Sequence, residues 1–428
     1  MKNTMHRSFL TLLALLPWGL PMVLAQPKAP LPKIERILPG EVQPLAPGQR
    51  NAPPLPQITL EPPIPEVRRV VYASNGYIEV ASALGLVSPQ NSTPSNLLGL
   101  AQQVVSRVFE ARPSLEEVDI TLYRANEYAG FGGPLPRFTA AVSKARLVAF
   151  SNLNLGNLHS YDHLWINPGD SFYGPPLPPT NELEQNPKFE GSRVEVKAQR
   201  IEQKAASLQG GVIGNLLYHG NPHRPQVALT FDDAPHPLYT PLLLDTLRRA
   251  KIRATFFCIG RNAEAYPYFI RDMVRDKQEI ANHTYHHVRL NNLEAQAVRE
   301  EIVQATEVLE GITGKAPRFF RPPGGRFSPT VLQVVRELGL TLAFWTDDPA
   351  DFDNVGDGVL QTRLLAQLRP GGIVLLHENV LQTIQVLPTF LRLAQLQGLR
   401  LGTTSALIHS SVQPAPHLQL SSNRRLAH

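Results

Sequence analysis

The sequence predicts an α/β protein in which repeated βα units close, or nearly close, a parallel sheet into a barrel, with a smaller α/β domain before it. Three observations carry this expectation. From Tyr218 onward strand-like and helix-like runs alternate regularly, the signature of a parallel sheet with crossover helices. The polar clusters of that stretch fall at the carboxyl ends of its strands, where parallel barrels carry active sites. The chain has 428 residues, too many for one domain of ~100 to 200 residues, so a second folded region has room in front.

Composition narrows the function classes. Hydrophobic residues make up 43% and charged residues 18%, with 40 prolines against 29 glycines. That balance is globular, but the proline share is about twice the usual one, so part of the chain is extended. Cys258 is the only cysteine, which excludes an internal disulfide scaffold. The formal charge of +5 falls to +3 once Lys2 and Arg7 leave with an export signal, too small an excess to imply nucleic-acid binding.

Residues 1–25 read as that signal: Lys2 and Arg7 supply positive charge, Leu10 to Leu16 an apolar run, and Val23, Leu24 and Ala25 a small-residue end before Gln26. The competing reading is a membrane anchor, but Pro17, Gly19 and Pro21 interrupt a short stretch, and no second run of ~20 apolar residues follows. The chain is therefore expected to be exported to the periplasm, cell envelope or extracellular space, with no transmembrane segment after cleavage. Residues 26–65 form a proline-rich linker, with Pro53-Pro54-Leu55-Pro56 and Pro62-Pro63-Ile64-Pro65 favouring extended polyproline-like chain.

Residues 66–211 form the first folded region, of unknown role. It has a strand from Val67 to Tyr72, a helix from Leu97 to Phe109, a strand from Val118 to Tyr123, a Gly-rich loop at residues 130–134 and a strand from Arg137 to Val142. His159 and His163 lie four apart around Asp162, but no further ligand is evident and no role is assigned to them. Residues 192–209 read as a connector.

In the barrel region, 218–408, the expected order is a strand from Val227 to Phe231, a helix from Tyr239 to Ala250, a strand from Ala254 to Ile259, a helix from Pro267 to Lys277 and a strand from Glu279 to Asn282. Leu293 to Leu309 is a long helix, Phe319 to Arg321 a strand end, Pro329 to Leu338 a helix and Thr341 to Trp345 a strand. Leu360 to Leu368, Gly372 to Leu376 and Val386 to Gln397 complete the pattern as helix, strand and helix. Cys258 reads as a small core residue of its apolar strand. Residues 409–428, polar and proline-bearing, read as a disordered tail.

Two clusters suggest chemistry. Asp232 and Asp233 end the first strand; adjacent carboxylates repel, and a cation beside one of them would reconcile the pair. Alone, an Asp-rich turn before a helix explains them as well. His283 and His287, four apart after the third strand, can converge on one metal ion through a local helical turn. Two histidines and one carboxylate leave a position open for water, the pattern of a catalytic metal site.

At this point the sequence resembles the NodB-homology polysaccharide deacetylases grouped as carbohydrate esterase family 4, over roughly Tyr218 to Ile408. The first family motif appears as Thr230-Phe231-Asp232-Asp233-Ala234-Pro235 with Ala234 in place of Gly, and the second as His283, Thr284 and His287. The third is Arg321-Pro322-Pro323-Gly324 with Gly where the family usually has Tyr. The fourth is Asp348-Pro349-Ala350-Asp351-Phe352 with Phe in place of Trp, and the fifth is Leu375-Leu376-His377.

The resemblance implies a deformed (β/α) barrel of the NodB-homology type. It implies metal ligands Asp233, His283 and His287, Asp232 as general base, His377 as general acid, Arg321 and Asp351 as charge partners, and Gly324, Phe352 and Leu375 along the substrate. The expected ion is Zn2+, with Co2+ or another divalent ion an alternative in an N/O site. The expected activity is removal of N-acetyl groups from N-acetylglucosamine-type residues of peptidoglycan, a chitin-like polymer or another glycan. The alternatives are an O-acetyl polysaccharide esterase on the same scaffold and a glycan-binding envelope protein that has lost turnover through Gly324 and Phe352.

Overall fold

The computed structural model describes residues 52–130, 133–169 and 210–409, all within one compact unit, Pro39–His428. The expected signal, the connector at 192–209, the linker before residue 52 and the tail from residue 410 lie outside the described residues. No described helix is long and apolar enough to cross a membrane.

The first region is a five-stranded sheet in the order β1 (Val67–Ser74), β2 (Glu79–Val87), β3 (Glu117–Arg124), β4 (Phe138–Ser143), β5 (Leu164–Ile166). Only β2 and β3 run parallel, because helix α1 (Pro94–Ala111) carries the chain between them, and a short helix α2 (Leu147–Ser151) follows β4. Pro94 opens α1 and the Thr93 hydroxyl accepts from the Asn96 N–H, a regular N-cap. The buried positions Leu97, Leu98, Ala101, Val104, Val105 and Val108 make one apolar stripe, which packs on Val118, Ile120, Leu122, Phe138, Ala140 and Val142 of the sheet. Strand β2 was not expected from the sequence. Its residues are apolar and small on both sides, so no alternation marks it.

The packed region also begins earlier than residue 66. Ile58 N–H donates to the Val70 carbonyl at 2.9 Å, Gln57 bridges to Val71, and Leu60 and Ile64 are buried. Of the proline-rich stretch, residues 52–65 are described: from Gln57 they lie against β1, bend and turn at residues 61–66, and plug the core with the apolar residues between the prolines. The linker boundary at residue 65 is corrected accordingly.

The second region begins at a short hairpin, β6 (Val212–Ile213) and β7 (Leu216–Leu217), so its start moves a few residues before 218. It continues through β8 (Gln226–Ala234), β9 (Thr255–Cys258), β10 (Glu279–Asn282), β11 (Phe319–Phe320), β12 (Thr341–Ala343), β13 (Ile373–His377) and β14 (Arg400–Gly402). The order is β13-β8-β9-β10-β11-β12-β7-β6, with β14 also on β8, and apart from the hairpin every pairing is parallel. Past β12 the chain reaches Asp347, which bridges to Val374 of β13. The ring thus closes through one irregular bridge, a deformed barrel.

The outer helices are α3 (Thr240–Ala250), α4 (Gly260–Ala265), α5 (Pro267–Arg275), α6 (Ala295–Thr313), α7 (Pro329–Glu337), α8 (Asp357–Gln367), α9 (Leu381–Leu396) and α10 (Thr404–His409). Six of them match the expected helices, α9 starting five residues early, whereas α4 and α10 were not expected from the sequence.

The two regions share a seam. Period-2 alternation sends Val118, Ile120 and Leu122 of β3 towards α1, and Asp119 and Thr121 towards the barrel helices. There Thr139 Oγ1 donates to the Ala265 carbonyl at 2.6 Å and the Thr121 and Tyr266 hydroxyls are 3.2 Å apart. Leu135 and Ala141 pack with Ala265, Tyr266, Tyr268 and Phe269. At the far end the Asn75 amide donates to the Leu242 carbonyl and the Asp245 carboxylate, both at 2.9 Å. His163, left without a role by the sequence, sits 3.0 Å from the Asp272 carboxylate on α5 and pins this seam.

Candidate active site

The carboxyl ends of β8, β10, β13 and the loops after β11 and β12 bring seven of the expected residues into one buried cluster. Strand β8 delivers Asp232 and Asp233. Successive strand side chains normally point to opposite faces, but β8 changes register between Asp232 and Ala234 and Asp233 takes φ 72. Both carboxylates therefore reach one histidine: His283 Nε2 lies 3.7 Å from Asp232 and 3.6 Å from Asp233. Ala234, which replaces the family glycine, needs no left-handed backbone. The residue before it takes that conformation.

His283 and His287 converge by a different device from the expected helical turn. Residues 283–287 are not helical; Thr284 and His287 take φ 66 and φ 59. The Asn282 side chain accepts from the Thr284 N–H at 2.8 Å, and the Thr284 hydroxyl from the His287 N–H at 3.1 Å. These side-chain turns replace helical hydrogen bonds, and the two rings end 5.1 Å apart. Left-handed non-glycine residues are costly and cluster at functional sites. His286 pairs instead with Glu301 at 2.7 Å.

Asp233, His283 and His287 offer ligand atoms all within 4.8 Å of one another. The Asp233 oxygen lies 3.2 Å from His287 Nε2 and 3.6 Å from His283 Nε2. A tetrahedral ion with bonds of ~2.0–2.1 Å sets its ligands about 3.3 Å apart, so the three residues fit a zinc-sized ion. His283 Nδ1 lies 2.7 Å from the Arg321 carbonyl, which keeps the proton on Nδ1 and leaves Nε2 as the ligand. Burial pushes His283 down to about 4, so it is neutral and ready to bind. Burial alone would raise Asp233, but the imidazoles of His287, His377 and His283 hold it well below the usual carboxylate range.

Arg321 is fully buried with its donors directed. Nη1 donates to Asp232 at 2.6 Å and to the Thr230 hydroxyl at 2.9 Å, while Nε and Nη2 reach the carbonyls of Ala343 and Phe344. Its guanidinium also lies 3.9 Å over the Phe257 ring. Burial lowers its proton affinity against the pull of Asp232. A hydrogen-bonded ion pair of this kind keeps one oxygen of Asp232 occupied and the other facing the histidines.

On the opposite side His377 Nδ1 lies 2.8 Å from Asp351. Asp351 also accepts from the His377 N–H at 2.7 Å, the Phe352 N–H at 3.0 Å and the Thr383 hydroxyl at 2.6 Å. Burial would lower His377, but Asp351, with Asp233 and Asp232 beyond it, raises it to about 10. Phe352 stands edge-on to that imidazole, ring centres 5.5 Å apart. Leu375 is almost entirely buried and its N–H donates to the Asp347 carbonyl at 2.9 Å, so it supports the β13 end more than it lines a cleft. Gly324 takes φ 67 and a side chain there would start in ordinary contact with Arg289, 4.0 Å away, whereas a side chain on Gly325 would strike Trp345. The loop is left-handed at both positions, which is why glycine suits them.

Glu378 stands beside His377, at a strand end where acids are ordinary loop residues. It is fully buried, accepts from the His236 N–H at 3.0 Å and from the Thr240 hydroxyl, and burial raises it to about 8. It ties the loop after Asp233 to the end of β13. The only sequence signal was its position next to a candidate acid.

A family model described as polysaccharide deacetylase matches residues 219–343. The chain is 35% identical over 187 residues to a peptidoglycan-N-acetylglucosamine deacetylase of Bacillus cereus, covering 42% of this chain and 87% of that protein. It is 39% identical over 154 residues to a chitooligosaccharide deacetylase of a Bradyrhizobium species, covering 36% of this chain and 70% of the relative. A crystallised peptidoglycan N-acetylglucosamine deacetylase shares 29% identity over 46% of this chain and 93% of its own, with a TM-score of 0.45.

Proposed function

The chain belongs to the polysaccharide deacetylase family, and from that premise we propose that it is an exported, metal-dependent hydrolase removing N-acetyl groups from N-acetylglucosamine-type residues of cell-wall or chitin-like glycan. The observation that carries the reading is one buried cluster holding a two-histidine, one-carboxylate ligand set, a second carboxylate clamped by Arg321 and a histidine–aspartate pair. The names of the relatives supply the substrate class. Residues 1–25 supply the export reading.

Asp233, His283 and His287 are the residues that would hold the ion. When bound, a divalent ion lowers the pKa of water towards ~7 and polarises an acyl oxygen. Asp232 takes the proton of the attacking water on the oxygen that Arg321 leaves open. His377 is protonated at neutral pH and gives its Nε2 proton to the departing amine, while Asp351 holds the ring through Nδ1. The backbone N–H of Gly324 is the donor assigned to the developing oxyanion. Phe352 fixes the tilt of the imidazole.

The test is acetate release and free-amine appearance from N-acetylglucosamine oligomers with added zinc, beside an Asp232→Asn variant and a chelated sample. Both products are expected in equal amounts, roughly 10²–10⁴-fold slower in the variant and absent after chelation. Zinc bound without acetate release overturns the reading; acetate released only from O-acetylated glycan moves it to an esterase.

A further inference from the structure

Where the first sheet meets the barrel, a cavity of about 460 Å³ opens. Pro235 and His236 from the loop after Asp233 line one side, and Asn379, two positions after His377, lines the same side. The cavity therefore starts where the catalytic loops end, yet none of the residues assigned to catalysis or metal binding lines it. The opposite wall comes from the first region, through Arg69 and Tyr123 of its sheet and Tyr128 of the loop after β3. Its size suits a small ligand or one unit of a polymer.

Asn379 has only 5% of its surface exposed, and neither its carboxamide oxygen nor its nitrogen has a hydrogen-bond partner among the described residues. Buried polar atoms are nearly always paired, so a donor–acceptor pair lining a cavity calls for a polar ligand. Tyr123 and Tyr128 stand edge to face with ring centres 5.0 Å apart, and Tyr128 is exposed. Such rings offer an apolar face to a sugar ring and a hydroxyl at the edge. Arg69 and Arg261 supply two guanidinium groups, and no acidic residue lines the cavity among the described residues. Arg261 is mostly buried and anchored to the Gly133 carbonyl through one nitrogen, so its charge is held in place. His236 is kept uncharged, pushed down to about 4 by burial and then by the charge of Arg69.

We propose that this cavity is a glycan subsite built jointly by the first region and the barrel, and that it takes a carboxylate-bearing sugar next to the acetylated one: Asn379 pairs with its amide or hydroxyls, Tyr128 stacks on the ring and Arg69 meets the carboxylate. The choice of a glycan rests on the deacetylase reading; the existence of an anion-selective site does not. A lactyl ether on an amino sugar is the carboxylate that fits a cell-wall glycan. The inference gives the first region a task in selecting substrate.

The experiment measures equilibrium binding by calorimetry on the zinc-loaded full chain carrying Asp232→Asn, which blocks turnover. Three tetrasaccharides serve as probes: alternating N-acetylglucosamine and N-acetylmuramic acid with free lactyl carboxylates, the same compound with those carboxylates amide-linked to peptide, and chitotetraose. The free-carboxylate probe is expected to bind at least ten-fold more tightly than either of the others, and Arg69→Glu in the same background is expected to erase that preference. Equal affinities, no binding of any probe, a preference that survives Arg69→Glu, or tighter binding of the peptide-linked form each overturns the proposal. The preference found intact while the wild-type chain releases no acetate from any probe would sink the deacetylase reading and leave the subsite standing.

Discussion

Asp119 in the seam and Asp232 and Asp351 at the barrel mouth are all buried acids, and the fold partners them in opposite ways. In the seam, Asp119 has no exposed surface and no hydrogen-bond partner on either oxygen among the described residues. Burial, with Glu117 and Asp272 nearby, raises it well above its ordinary value, which favours the neutral acid. At the barrel mouth Asp232 and Asp351 are as deeply buried, but Arg321 binds the first at 2.6 Å and His377 the second at 2.8 Å. Burial by itself therefore makes no reactive group. A charge becomes usable only where the fold supplies a cation or N–H donors to hold it.

The largest effect should come from taking the seam away. Deleting residues 52–169 would bare Ala265, Tyr266, Tyr268 and Phe269 and uncover the Leu242 carbonyl and Asp245 that Asn75 now engages. An exposed apolar patch of this kind drives aggregation. The expected outcome is an insoluble product with activity lost on soluble and insoluble glycans alike, read by soluble yield and acetate release. Full activity on soluble oligomers would show the two regions to be independent and break the comparison.

A smaller effect is expected within the mouth. Asp351→Asn removes the main group that raises His377. The sign follows directly: with Asp351 present the imidazolium persists to high pH, and without it the proton is lost at lower pH. The basic limb of the rate profile should move towards neutrality, with the rate at pH 7 falling by at least ten-fold. A profile that keeps its basic limb would remove His377 from the role of acid.

The mildest effect concerns Asp119. Its folded pKa lies above its unfolded value of ~3.9, so its neutral form is tolerated below that pH and a stability penalty accrues as pH rises towards the folded pKa. Asp119→Asn should leave Tm unchanged near pH 4 and raise it by a few degrees at pH 8, measured by calorimetry. A Tm lowered equally at both pH values would mean that Asp119 holds the seam through a contact other than charge.

Much of this was readable along the chain. The alternation of strand and helix from Val227 onward predicted the barrel because every βα unit buries its strand between neighbours and leaves continuous apolar runs. The Asp232-Asp233 and His283-to-His287 spacings pointed to the ligand set because those side chains lie on strand ends. Strand β2 escaped notice because its half-buried positions, Leu84 and Leu86 among them, are as apolar as its buried ones, so burial alternates while residue type does not. Glu378 escaped because its worth lies in accepting from His236 and Thr240, residues more than a hundred positions away.

By itself, then, the sequence determined the βα succession, the charged groups and their order along the chain, since periodicity and residue type are local properties. Tertiary structure alone decided how the histidines meet, through left-handed Thr284 and His287 in place of a helical turn. It also decided that the region before the barrel is packed against it, and that Arg69 and Asn379, over three hundred positions apart, line one cavity. Those outcomes depend on which surfaces exclude water together, and no stretch of chain carries that information alone.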